Sequence, residues 1–537
     1  MPHLDGNGRG NIIQHARSMY GAAQRRNSQA AHGYEYSHTL PASFPQVHNA
    51  AFASQSRPLQ DWNGQAGAAP NAVGNLASST KSNELDRTQA SILAQAIRDG
   101  QFETPPVFDP HHQLRRGTMP STGAPYPMNT LQMLPFGQAN SSTGGSDPLL
   151  EHLTRNGRPT VEEAFQHIAF VDRCKNARPM TWGVVKISNI PYGTTKPEIV
   201  AHVGRNARLV TQGPPGCPWY GIHIIMERST AKTMDCFVEF ESGEEATQSI
   251  QRFHRQCMSG RHPRIGDRHV DLEASSQEAL MKELFPRAKC VRWNGQDPEP
   301  YQTDEPYNSG FKGFVTSEEM VMTVKHAETP QRSPFAHRCY QRTYESIIST
   351  LTKYPWWAAN YYTLSERDLL FKAANSLICA LREQLRKGTN NNQLTPQLLQ
   401  ELVYAALHAP AFSERQRYQL FISAGGPGHV PISMSPLAPY WVFEGLGRRE
   451  DATEQVVQYY ASLLHTATTS SAFLSLAEQS ANSAAGTTRS PFGNVVVPYA
   501  RADKGTYSMA RVIQLEWDVI EGLLRKILSP EAAAGGF

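Results

Sequence analysis

Between Arg252 and His269 the chain carries five arginines (Arg252, Arg255, Arg261, Arg264 and Arg268) and three histidines against one acid, Asp267. Guanidinium groups at that density attract phosphate whatever bases it carries. Read structurally, the same run is a solvated helix end whose arginines suit the helix macrodipole. Bond-making chemistry has no comparable signature. The sequence holds no Gly-x-Ser-x-Gly, no His-Glu-x-x-His and no convincing acid pair, and Gly425-Gly426-Pro427-Gly428 lacks the Gly-Lys-Ser/Thr of a phosphate loop. His111-His112 and the other histidines lack metal-ligand spacing. The seven cysteines are scattered without a Cys-x-x-Cys pair, which points to reduced thiols and against disulfides or structural zinc. The expectation is a non-enzyme with no catalytic residue, metal or cofactor. Trp356, Trp357, Tyr361 and Tyr362 form an aromatic knot that could stack bases, but such knots more often anchor packing.

Those residues need elements to carry them. At about 150 residues per domain, 537 residues suggest about three domains. Charged residues are 18% of the chain, hydrophobic ones 39%, and the net charge is +3, so any nucleic-acid surface must be local. No apolar run of about 18 residues occurs and the N-terminus has no secretory apolar core. The expected setting is intracellular, nucleus and/or cytoplasm, with no membrane.

Residues 1–155 are rich in Gln, Asn, Ser, Ala, Gly and Pro. The first 150 hold ten Lys/Arg and nine Asp/Glu, a composition too poor in apolar clusters to offset ordering entropy, so a disordered low-complexity tail is expected. Within it, 83–99 (NELDRTQASILAQAIRD) has the spacing of one short helix. A leading helix is expected in 156–180, started at Thr160. Strand, helix, strand, strand, helix, strand then follow in 181–290: GVVKISNI, a helix with Pro197 in its first turn, GIHIIMER, MDCFVEF, a helix from Gly243, and HVDLE. A linker (291–312) leads to a helical domain (313–425) with helical spacing over 316–327, 336–352, 364–386, 395–408 and 411–422; Thr395-Pro396 is a clear start signal. Residues 426–507 read as loops and linker with one short helix, and 508–528 as an amphipathic helix with a seam of Met509, Ile513, Trp517, Ile520, Leu524 and Ile527. The fold class is α+β.

The β-α-β-β-α-β order within about 95 residues resembles an RNA recognition motif (RRM). Its six-residue signature falls on Val185 to Ile190 and its eight-residue signature on Thr233 to Phe240. RRMs stack bases on sheet aromatics. Here those places hold Lys186, Asp235 and Phe237, so the face offers one ring. The sequences VVKISNIPYG, GIHIIMER and DCFVEF resemble the quasi-RRM subclass of heterogeneous nuclear ribonucleoproteins F and H, whose members grip RNA with loops beside the sheet. That resemblance implies contacts from Tyr192, from Lys232 on the hairpin between the second and third strands, and from Arg268-His269 before the last strand. Ser188 stands where the subclass has an arginine, and 212–219 (QGPPGCPW) is an insert. The Gln/Asn/Ser/Pro-rich style is similar in composition to RNA regulators of filamentous fungi.

The expected function is RNA binding and post-transcriptional regulation (mRNA processing, stability or translation). Arg252, Arg255, Arg261, Arg264 and Lys232 would hold phosphates of single-stranded RNA; Tyr192, Phe237, Arg268 and His269 would contact bases, with Lys186 beside them on the first strand. Protein partners would dock on the helical domain and C-terminal helix. The alternative is a protein-interaction scaffold whose RRM-like fold no longer binds RNA. Thr329 and Ser333, each followed by proline, are candidate phosphosites.

Overall fold

In the computed structural model the described residues are 147–529, apart from 156, 205, 215–216, 306–307, 389–392, 427–433, 476–477, 481, 483–489 and 500–503. The tail through 146, including the expected helix at 83–99, lies outside them. The last residues of the expected tail are helical: α1 (Pro148–Thr154) starts at an Asp147 N-cap and buries Leu153.

Two layers share the described chain. The sheet layer comprises β2 (Gly183–Ser188), α3 (Lys196–Val203), β3 (Ile222–Glu227), β4 (Lys232–Phe240), α4 (Gly243–Met258) and β7 (Asp271–Ser275). Its order is β3-β4-β2-β7, antiparallel throughout. This is the RRM arrangement. The period-two alternation of strands sends Val185, Ile187, Cys236, Val238, Phe240 and Leu272 toward α3 and α4, where they form one core with Ile199 and Ala246. Both helices start as their sequences require. Thr195 and Glu198 make a reciprocal capping box with proline in the first turn of α3, and Ser242 caps α4.

The opposite sheet face does not meet solvent along most of its length. Val184, Ile225 and Phe237 belong to the larger core of the helical layer. What covers them is α7 (Arg342–Lys353), which lies against β3 and buries eleven of its twelve residues. Around it stand α5 (Gln277–Leu284), α6 (Ser317–Glu328), α8 (Leu364–Arg386), α9 (Pro396–Leu407, capped by Thr395) and α10 (Glu414–Ser423). The helix read over 336–352 begins only at Arg342. Ahead of it the chain makes short 3-10 turns, in which Ala336 packs with Met226 and Ala231 of the β3–β4 hairpin.

Three further expectations are corrected. The linker 291–312 contains a hairpin, β8 (Val291–Asn294) and β9 (Asp297–Pro300), turning at Gly295 with φ 61°; Trp293 stacks on Phe285 at 5.8 Å and anchors it. The helical body does not stop at 425. It takes in α2 (Val161–Gln166), β1 (Phe170–Val171) paired with β10 (Gly447–Arg448), α11 (Glu454–Thr469) and α12 (Met509–Leu528), so the sheet layer is an insertion within the helical layer's sequence. The seam of α12 is buried inside this chain, apart from half-buried Trp517, and faces α11 and α2. It offers a partner little.

A buried polar network joins the layers. Glu239 of β4 accepts from Lys353 Nζ of α7 at 2.7 Å, from Gln277 Nε2 at 2.9 Å and from His223 Nε2 at 3.1 Å. Gln277 in turn accepts from Gln296 at 2.8 Å. Burial pushes the Glu239 carboxyl up, but the Lys353 ammonium and the His223 hydrogen bond pull it down to about 2. Burial also holds the His223 imidazole below its ordinary value. Beside them Arg228 reaches Glu319 at 2.9 Å, the Leu284 carbonyl at 2.7 Å and Thr350 at 3.0 Å.

Lys353→Met leaves Glu239 buried and unpaired, so urea unfolding of the full chain should show a loss of about 3–5 kcal/mol. Glu239→Gln combined with Lys353→Met should recover most of it. Glu239 has a folded pKa below its unfolded one, so its stabilisation is complete above about pH 4.5 and lost as pH falls toward 2. The unfolded chain also takes up the His223 proton first, so stability should begin to decline below about pH 6.5. In the Glu239→Gln chain the decline between pH 4.5 and 2 should be shallower, as followed by fluorescence.

Candidate nucleic-acid interface

The cationic run folds as the C-terminal half of α4 and a small hairpin, β5 (Arg264–Ile265) with β6 (Arg268–His269), which ends just before β7. The closing strand therefore starts at Asp271, not His269. Gly266 at φ 57° makes the hairpin's turn and lies against Pro191. Asn189, itself at φ 60°, donates from Nδ2 to the His269 carbonyl at 2.8 Å, and Arg268 donates to the Ile190 carbonyl at 3.4 Å. The loop after β2 and the hairpin thus hold one another.

Arg255, Arg261, Arg264 and Arg268 are exposed, and among the described residues none of them forms an ion pair. Arg264 donates to His269 Nε2 at 2.7 Å, and His262 packs edge-on to His269 at 5.9 Å. Lys232 is half-buried on the adjoining β3–β4 hairpin. Arg252 is different: its Nε and Nη2 are buried without a hydrogen-bond partner, so it turns into the sheet layer and leaves the rim to the other four.

Two expected contacts fail. Phe237 is 1% exposed, beneath the helical layer, so no base can reach it; the apolar surface that an open RRM shows to RNA is here used for packing. Lys186 lies 2.9 Å from Asp235 and 3.9 Å from Glu273, and the Asp235 hydrogen bond holds its ammonium above the ordinary value. Its charge is already matched. Ser333 is also buried, with its hydroxyl hydrogen-bonded to His326 Nδ1, so a kinase could reach it only after local opening. Thr329 is half-buried and donates to the Lys325 carbonyl at 3.1 Å. Of the aromatic knot, Trp356 and Tyr362 are core, Trp357 donates to Asp297 at 2.7 Å, and only Tyr361 is exposed.

Tyr192 occupies a built position. Its carbonyl accepts from Thr233 Oγ1 at 3.1 Å and from Arg342 Nη2 at 3.3 Å, and Arg342 also donates to the Thr194 carbonyl at 2.5 Å. Arg342 is fully buried at the start of α7 and pairs with Glu345. The helical layer therefore fixes the loop that presents Tyr192. Phe335 stacks on the Tyr192 ring at 5.5 Å with 30° between planes. Arg268 and Arg338 sit 5.7 and 5.9 Å from that ring. Neither Phe335, Arg338 nor Arg342 was marked by any sequence signal: they lie more than a hundred residues from Tyr192 and belong to no motif. The insert is likewise structural, since Trp219 is buried edge-on to Tyr404 of α9 at 5.5 Å.

Two family profiles match the chain, each described as a domain of unknown function: DUF8400 over residues 181–295 and DUF8399 over residues 311–425. The first spans the sheet layer, α5 and β8, ending at the turn before β9, and the second spans helices α6 to α10. Among solved structures, the crystal structure of the Glorund qRRM2 domain is similar at 25% identity; the match covers 19% of this chain and 99% of that one, with a TM-score of 0.15. No curated protein matches.

Because Phe237 is core here, Phe237→Ala should behave as a cavity mutation. Denaturant unfolding should show a loss of about 3–5 kcal/mol. In an open-faced sheet the same change would remove a base platform with little effect on stability.

Proposed function

We propose that this chain is a non-enzymatic RNA-binding protein of quasi-RRM type, acting in post-transcriptional control of mRNA processing, stability or translation. Single-stranded RNA would lie beside the sheet, along the arginine rim and the loop of Tyr192. The observation that carries this reading is the pairing of two facts: four exposed arginines without acidic partners among the described residues stand next to a buttressed tyrosine loop. A merely solvated surface needs neither the mutual bracing of loop and hairpin nor the concentration of one charge sign on them. Arg255, Arg261 and Arg264 hold phosphates with Lys232 at the flank, and Tyr192, Arg268 and His269 meet the bases. A second reading, a protein-interaction scaffold, is favoured by the covering of Phe237 and Val184, which removes the surface an ordinary RRM uses.

The test uses the full chain, because the isolated sheet layer would expose Val184, Ile225 and Phe237. Binding of labelled single-stranded RNA by fluorescence anisotropy should be salt-sensitive. Arg255→Glu, Arg261→Glu and Arg264→Glu together should weaken it at least tenfold and make the log–log salt slope shallower by about 2. A wild-type chain that binds no RNA at micromolar concentration would leave the scaffold reading standing.

A further inference from the structure

Three separate loops meet where the helical layer reaches the rim. The β2–α3 loop brings Tyr192, the β5–β6 hairpin brings Arg268, and the β3–β4 hairpin is held there by packing of Met226 and Ala231 on Ala336. The fourth contributor, the 3-10 segment around Ala336–Arg338, comes from the helical layer. Phe335 lies parallel to Tyr192, and the Arg338 guanidinium is 5.9 Å from the tyrosine ring and 5.8 Å from the phenylalanine ring. Phe335 is only half-buried and Arg338 is exposed. No carboxylate pairs with Arg338 or Arg268 among the described residues. Two stacked rings flanked by two unpaired guanidiniums hold π faces and phosphate donors within one base-to-phosphate span. Guanidiniums over rings stabilise packing in their own right; what a nucleic acid would use in addition is that neither cation has an acidic partner among the described residues while a ring and two cations stand together at the surface.

We infer that the RNA site is composite, with Phe335 and Arg338 of the helical layer contributing a base-stacking ring and a phosphate contact alongside Tyr192 and Arg268. The inference rests on the RNA-binding reading above and extends it: the helical layer is part of the reader, not only its support. A nucleobase entering at the Tyr192–Phe335 pair displaces a guanidinium from the ring, and that cation moves to the flanking phosphate. Arg342 is the positioning residue: its buried guanidinium donates to the Tyr192 and Thr194 carbonyls and to Thr233, and pairs with Glu345. Stacking of this kind tolerates any base, because every base has a π face. The composite site therefore adds affinity more than sequence preference.

The test compares the full chain with its Phe335→Leu and Arg338→Glu variants on two short strands, a mixed-sequence RNA and an abasic strand with the same number of phosphates. Phe335→Leu should weaken RNA binding about tenfold and leave abasic-strand binding unchanged. Arg338→Glu, at an exposed position, should weaken both and lower the salt slope. Photocrosslinking of a thiouridine-bearing RNA gives an independent readout, with label expected on the peptide containing Phe335 and Arg338. If both variants bind RNA like the wild type, and the crosslink is confined to residues 250–270, the composite site is wrong while RNA binding by the rim stands. If the wild-type chain binds neither strand, both readings fall together.

Discussion

Glu239 is a carboxylate near the end of β4, an inner strand of the sheet, on the face covered by another layer of protein, and its charge has no water to meet. Isolated there it would cost several kcal/mol. His223 from the neighbouring strand β3 supplies one hydrogen bond to it, and Lys353 from α7 and Gln277 from α5 supply two more, which require the helical layer to lie on the sheet. Much else follows from that constraint. Val184, Ile225 and Phe237 become core, α7 is buried on nearly every side, and the sheet layer cannot be lifted away without exposing both an ion pair and an apolar face.

With the face covered, whatever the sheet layer recognises has to approach from its edges. The edges carry the appropriate groups. On one side the loop of Tyr192 and the β5–β6 hairpin brace one another through Asn189, Arg268 and Gly266. The buried Arg342 ties this edge to α7, so the geometry that closes the face also aims the loop. Closing one surface and building another are the same packing event.

Elsewhere the helical layer carries its own buried charges. Glu516 of α12 accepts from the backbone N–H groups of Gly445 and Leu446, both at 2.9 Å, and Glu366 accepts from Val315 at 2.9 Å. Burial pushes both carboxyls up to about 7, so they favour folding most strongly below about pH 4.5 and contribute less as pH rises through 7. Their titration runs opposite to that of Glu239 and His223. Glu516 pins a loop in the stretch read as loops and linker, and Glu366 pins the entry to the helical domain.

What the sequence by itself determined was local. Alternating strands, the helix starts at Thr160, Thr195, Ser242 and Thr395, and the density of arginine from 252 to 268 are encoded over a few residues, because caps, periodicity and charge act at that range. The RRM order and most of the cationic rim were legible for that reason. What only the tertiary structure decided is which face of the sheet is free. A strand with one polar and one apolar side reads the same whether its second face meets solvent, RNA or a helix, and Phe237 could not be told from a base platform until α7, more than a hundred residues on, came to lie over it. The ring on Tyr192 and the cation beside it, Phe335 and Arg338, come from that same distant segment. Their nearness to the rim is a product of packing between layers, which no spacing along the chain records.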